Sequence, residues 1–217
     1  MSPSAGLYGG VAAKERRAVR RAQLLEAALD LLGTEGWQAT TVRAICSRAH
    51  LTPRYFYESF PDRDALLLAL FDDIAAESAA VTLVAVSEAG GSAREKARAA
   101  IGAFVCLVTD DPRKARVLFV EAMGSEELAR RRFETLRMFG QLVADQGREF
   151  YGMQHSQDPL IEASGLMTAG GLAEILLAWL DGTLKTTREQ LIEDCTDLFV
   201  ATGDGVLGLL RHRAKRG

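Results

Sequence analysis

All five prolines of this 217-residue chain fall where a helix would start or stop, and its apolar residues recur at three- and four-residue spacing rather than in alternation. Pro53, Pro112 and Pro159 each follow Thr or Asp. That is an N-cap followed by the residue best suited to the first helical position, where an N–H would have no partner anyway. The one β-rich stretch, Val81-Thr82-Leu83-Val84-Ala85-Val86, continues a helical pattern. The chain therefore reads as all-α. Nine helices are predicted, at about 14–32, 42–49, 53–59, 62–86, 93–109, 112–124, 125–151, 159–184 and 188–211. Ser92 with Glu95 and Thr187 with Gln190 have the spacing of capping boxes. Residues 1–10 carry no charge and three glycines, so 1–13 is expected to be a disordered arm.

Hydrophobic residues make up 48% of the chain and charged residues 25%, proportions that suit a packed globular protein. No unbroken apolar run of about twenty residues is present, so a membrane span is not expected. Three cysteines, Cys46, Cys106 and Cys195, lie far apart and form no paired motif, as for reduced thiols in a cytoplasm. The net charge of −3 argues against nucleic acid until its distribution is considered. Residues 11–63 hold nine Lys/Arg against six Asp/Glu, and residues 64–217 hold 17 against 23. A basic N-terminal quarter on an acidic body suits a small DNA-binding module.

Helices 2 and 3 are short and joined by a turn of about three residues. Val42, Ile45, Ala49, Leu51, Phe56 and Phe60 are expected to face helix 1, leaving the first turn of helix 3 outward. Such an element fits the major groove of B-DNA. Arg43 and Arg54 can each donate two hydrogen bonds to a guanine edge. Thr41, Tyr55, Tyr57, Ser59 and Arg63 can donate to phosphates. Arg48 is read as a solvated position.

The segment from Thr41-Val42-Arg43-Ala44-Ile45 through Thr52-Pro53-Arg54-Tyr55-Phe56-Tyr57 to Phe60-Pro61-Asp62-Arg63 resembles the signature of the tetracycline-repressor (TetR) family. Ala27–Leu32, Gly36, the length and the predicted helix count fit as well. The resemblance implies a helix-turn-helix domain over 14–61 and a helical effector-binding and dimerisation domain over 62–217. It places Tyr57 and Arg63 on the DNA backbone, and Thr41 on a phosphate as the cap of helix 2. Arg43 and the helix-3 residues Pro53, Arg54 and Glu58 come at the base-reading end, and Thr52, the cap of helix 3, is a further DNA-binding candidate. His50 stands where glycine is common, and histidine tolerates positive φ less readily than glycine. Ser59 replaces a common His or Tyr.

The same resemblance implies a homodimer through helices 8 and 9, bound to a pseudo-palindromic operator, with a small, largely hydrophobic effector releasing a repressor. Helix 8 (Leu166, Leu172, Ile175, Leu176, Trp179, Leu180) and helix 9 (Leu191, Ile192, Cys195, Leu198, Phe199, Val206, Leu209) are too apolar to face solvent all round. Candidate effector-lining residues are Phe104, Val108, Phe119, Glu121, Met123, Met138, Phe139, Met167 and Trp179. Among these, Glu121 is positioned for a cationic or hydroxyl-bearing group. The motifs of an enzyme are missing: there is no nucleophile elbow, phosphate-cradling glycine loop or metal-ligand spacing. No cofactor or metal is expected. A competing reading is a protein-interaction scaffold that keeps the fold without sequence-specific DNA binding.

Overall fold

The computed structural model describes residues 5–215, with the side chains of 13–122 and 124–215. Nine α-helices and one 3₁₀ turn, with no strand, make up these residues: α1 (Ala5–Thr34), α2 (Val42–Arg48), α3 (Pro53–Tyr57), α4 (Arg63–Glu88), α5 (Ala93–Asp110), α6 (Pro112–Phe119), the 3₁₀ turn (Glu121–Met123), α7 (Glu126–Phe150), α8 (Pro159–Leu180) and α9 (Arg188–Ala214). The chain divides into two compact units. The first holds the chain up to Ile74 together with Asp111–Leu128, and the second holds Ala75–Asp110 and the chain from Ala129 onward.

In the first unit α1 starts earlier than expected. It is helical from Ala5, so residues 5–13 are not an unstructured arm; residues 1–4 lie outside the described residues. The helix stops where Gly36 turns to φ 85°, and the N–H groups of Glu35 and Gly36 both return to the Leu31 carbonyl. A left-handed residue just past the helix satisfies carbonyls that would otherwise be orphaned, and glycine adopts that φ without strain. Leu24, Leu25, Ala28 and Leu32 of α1 are buried, as are Ile45, Phe56, Phe60, Leu66, Leu67, Leu70 and Phe71. Each Leu, Ile or Phe among them contributes about 1.5–3 kcal/mol through burial. Val42, Ala49 and Leu51, expected inward, are only partly buried.

The largest departure from expectation concerns α6. This helix and the 3₁₀ turn belong to the helix-turn-helix unit, not to the body that 62–217 was expected to form. Ala115, Val117, Leu118, Phe119 and Ala122 are buried here. Close approach of α6 to α1 requires glycine at position 33, because a Cβ there would lie 2.8 Å from Arg113 Cα. Arg113 then donates to Glu26 on α1 (2.9 Å) and to Asp111, the cap of its own helix (2.8 Å).

In the second unit the end of α4 packs with α5, α7, α8 and α9. Asp158 caps α8 ahead of Pro159, as the sequence indicates. Ser92 and Glu95 form the reciprocal capping box. Thr187 accepts from the Gln190 N–H, but the Gln190 side chain turns to Asp194, so only half of that box forms. Gly140 of α7 meets Gly165 of α8 closely: a Cβ on Gly140 would lie 2.9 Å from Leu166 Cα. Ion pairs of Arg94 and Arg98 with Glu193 join α5 to α9. By length and composition alone, α8 is apolar enough to cross a membrane.

Candidate nucleic-acid interface and effector cavity

The helix-turn-helix is built by two caps and one strained residue. Thr41 is extended, and its Oγ1 accepts from the Ala44 N–H at 3.2 Å, so it opens α2. The intervening turn is reversed at His50, the non-glycine residue with φ 54°. The short, polar-tipped histidine side chain makes that conformation tolerable. Thr52 is extended ahead of Pro53, but its hydroxyl makes no cap bond, which leaves it exposed on the outward side of α3.

The face so presented is cationic and aromatic. Arg54 is 84% exposed, Tyr57 is 60% exposed, and Thr41, Arg43, Pro53 and Tyr55 are exposed as well. Phe56 between them is fully buried and anchors the helix, with the Tyr57 ring edge-on to it. Arg20 of α1 stacks 4.4 Å over the Tyr55 ring. Arg63 at the start of α4 stacks 4.4 Å over Trp37 and donates to Asp64 at 3.0 Å. A second acid, Glu58, sits among the α1 and α3 arginines. Glu58 accepts from Arg54 Nε (3.2 Å) and pairs with Arg20 (3.5 Å), while its carbonyl accepts from Arg17. Arg48 is not a free surface charge: it pairs with Asp30 and Glu35 of α1. Ser59 is partly buried and its Oγ is enclosed with no hydrogen-bond partner, so it does not join the exposed face.

The second unit contains a partly enclosed cavity of about 200 Å³, bounded by the end of α4, α5, α7, α8 and α9. The space exists because small residues line it: Ala79, Ala93, Ala97, Ala100, Gly147 and Gly203. Phe139, Phe150, Tyr151 and Phe199 supply the aromatic wall. Tyr151 Oη donates to Asp204 at 2.8 Å, and burial with that carboxylate pushes its pKa up to about 12.

A model of the family described as bacterial regulatory proteins, tetR family, matches residues 24–70, which run from the buried part of α1 through the helix-turn-helix into α4. The chain is also 29% identical over 196 residues to the HTH-type transcriptional regulator BetI of Paraburkholderia phymatum, covering 85% of this chain and 95% of that protein. Residues 24–70 therefore match the DNA-binding module of the TetR family, and the chain is a DNA-binding transcriptional regulator. Solved structures with the same fold include the fatty acid degradation regulator FadR of Bacillus halodurans (TM-score 0.70, 20% identity, 83% of this chain and 94% of that one). FadR of Bacillus subtilis in complex with stearoyl-CoA (0.70, 19%, 83% and 98%) and a transcriptional regulator of Pseudomonas aeruginosa PAO1 (0.72, 21%, 90% and 94%) share it too.

Of the candidate DNA-facing residues, Thr41, Arg43, Thr52, Pro53, Arg54, Tyr55 and Tyr57 are each exposed on α2, α3 or their caps, Arg63 lies beside Trp37, and Ser59 is turned inward. The candidate effector residues scatter. Phe139 lines the cavity, and Phe104 packs behind it with ring centroids 6.3 Å apart. Val108 is sealed in the α5 core, and Met138 and Met167 are exposed. Trp179 donates its indole N–H to the Thr186 carbonyl. Phe119 and Glu121 belong to the other unit, because α6 packs on α1; the Met123 side chain lies outside the described residues. The Glu121 carboxylate, 8% exposed, accepts from the Trp37 N–H (3.0 Å) and from Arg116 Nε (2.9 Å), so both its oxygens are engaged within the helix-turn-helix unit. Lys96, Gln146 and Phe150 line the cavity without having been picked out from the sequence, and Phe199, expected on the apolar surface of helix 9, lines it too. The signal available was the run of small residues at 93, 97 and 100, one face of a helix left without bulk.

Proposed function

We propose that this regulator is a cytoplasmic, homodimeric repressor whose hold on a pseudo-palindromic operator is relieved by a small, largely apolar effector bound in the α4–α5–α7–α8–α9 cavity. The observation that carries this reading is the course of α4. Its first residue, Arg63, stacks at the DNA-binding end, and its later residues Leu83 and Val86 line the cavity. One continuous helix is therefore shared by the reading head and the candidate effector site. An effector that favours one disposition of α4 shifts operator affinity by its differential affinity for the two states. That the FadR relative was solved with stearoyl-CoA supports an apolar effector class.

The surface of α8 and α9 supports the dimer. Leu166, Met167, Leu180, Leu198 and Leu209 are exposed in the single chain, and a Cβ added at Gly170, Gly171, Gly205 or Gly208 would meet nothing. An apolar face with small gaps, on two helices that already pack on each other, suits an isologous four-helix contact. This contact accounts for the apolar character of α8. Two reading heads on a two-fold axis then match a two-fold operator. Operator affinity measured by anisotropy with and without a bound effector tests the scheme. A fall in affinity at saturating effector supports it, and an unchanged affinity removes the effector from control.

A further inference from the structure

The charge balance of the cavity identifies the kind of molecule it takes. Among the lining residues one, Lys96, carries a formal charge, and none is Asp or Glu. The acids near Lys96 in sequence and across α5–α9 are already engaged: Glu95 with Ser92, Glu193 with Arg94 and Arg98, and Asp197 with Arg94. Among the described residues Lys96 makes no ion pair, although it is partly buried. Four of the five lining hydroxyls have committed their single protons elsewhere, Ser164 to the Ile161 carbonyl, Thr168 to the Ser164 carbonyl, Thr202 to the Leu198 carbonyl and Tyr151 to Asp204, and the fifth is the neutral hydroxyl of Thr82. The side-chain N–H donors that remain on the wall are those of Lys96 and Gln146. A partly buried cation without a partner is costly in the free protein and is relieved by a bound anion.

The shape adds the other half. Lining residues run along α7 from Phe139 to Phe150, a length of about 16 Å at the helical rise. The wall over that length is alkyl and aromatic. We propose that the ligand is a linear amphiphile, an alkyl chain lying along α7 with an anionic head, carboxylate or phosphate, held by the Lys96 ammonium with the Gln146 amide. The four aromatic rings could in principle cage a quaternary ammonium. That cation would have to enter a low-dielectric site whose lining holds Lys96 and no acid, the neighbouring Asp204 being taken up by Tyr151, which the charge balance opposes. This inference specifies the effector site described above and rests on that reading.

Calorimetric titration of the full chain with decanoate, decanol and decyltrimethylammonium tests it. Decanoate should bind saturably and about tenfold more tightly than decanol, with decyltrimethylammonium the weakest. Lys96→Met should weaken decanoate about tenfold, leaving decanol unchanged, and Lys96→Arg should retain decanoate binding. Decanoyl-coenzyme A, matched against decanoate, tells a phosphate head from a carboxylate head; either result supports the inference if Lys96→Met weakens the tighter of the two. The inference is overturned if the ammonium compound binds best, if no probe binds, or if Lys96→Met weakens decanoate and decanol alike. The same probes added to the protein–operator complex keep the two proposals apart. Decanoate binding without operator release leaves the anionic head standing and removes effector control, whereas release by the ammonium compound does the reverse.

Discussion

Arg54 and Glu58 are four residues apart, so on α3 and its C-terminal turn their side chains meet, and the ion pair they form holds the 84% exposed Arg54 guanidinium. An exposed pair of this kind contributes little to stability. If the α2–α3 face docks on DNA, as proposed, the Glu58 carboxylate would repel nearby phosphates and hold the Arg54 guanidinium in one orientation. Glu58→Gln should therefore raise affinity for random DNA and narrow the ratio of specific to random binding, read by anisotropy on the two DNAs. Arg54→Ala should weaken the specific site by about 1–3 kcal/mol and random DNA by much less. Tyr57→Phe, which removes one hydroxyl donor, should weaken both DNAs to a similar extent. The caps and the outward arginines were legible in the sequence because each follows from local spacing. The Arg54–Glu58–Arg20 grouping was not, because it needs α1 beside α3. Burial raises the Cys46 and Cys195 thiol pKa values and keeps them protonated, which makes both poor nucleophiles.

Among the elements, α6 separates what sequence can give from what it cannot. Its start was plain in Asp111-Pro112, and its apolar run marked a buried face, yet nothing local says which body buries it. The run Val117–Met123 around Glu121 resembled a pocket wall with one placed acid. In the folded chain the same acid joins the backbone of Trp37 to Arg116, whose guanidinium also donates to the Thr34 carbonyl at 3.2 Å. Glu121→Ala would leave a backbone N–H and a guanidinium without their acceptor, a cost of about 1–3 kcal/mol. Chemical denaturation should show that loss, with Glu121→Gln recovering part of it through its remaining carbonyl oxygen. At the N-termini of α6 and α8, Asp111 and Asp158 are held below the ordinary carboxylate range, Asp111 chiefly by Arg113 and Asp158 chiefly by the Leu160 N–H, with Arg213 second. Groups with lowered folded pKa values contribute stability that is fully present above the ordinary carboxylate range and is lost as pH falls through the lowered values. Denaturation midpoints should thus be flat near neutrality and fall below about pH 4, and Asp111→Asn should flatten part of that fall.

For the whole molecule, the all-α class and the nine helices were readable from proline placement and apolar spacing, while the division of the chain was not. The boundary expected near 61 lies within α4 in space, and residues 111–128 return to the first unit. A contiguous cut by sequence cannot express that. The proposed dimer is a property of the whole molecule, and the proposed operator recognition rests on it. Leu198→Glu together with Leu209→Glu places charge on an exposed apolar face and should shift sedimentation from dimer to monomer with the helical content unchanged. Operator affinity should fall at least tenfold in that variant, since a monomer engages one half-site. The central claim is that the α2–α3 face reads DNA sequence. Its most direct test is the anisotropy titration of this protein, wild type and Arg54→Ala, on the DNA flanking its own gene and on random DNA of equal length, across a salt series. Saturable binding that is tighter on the flanking DNA, falls steeply with salt and loses its preference in Arg54→Ala is predicted. Equal affinity for both DNAs, untouched by Arg54→Ala, would contradict it.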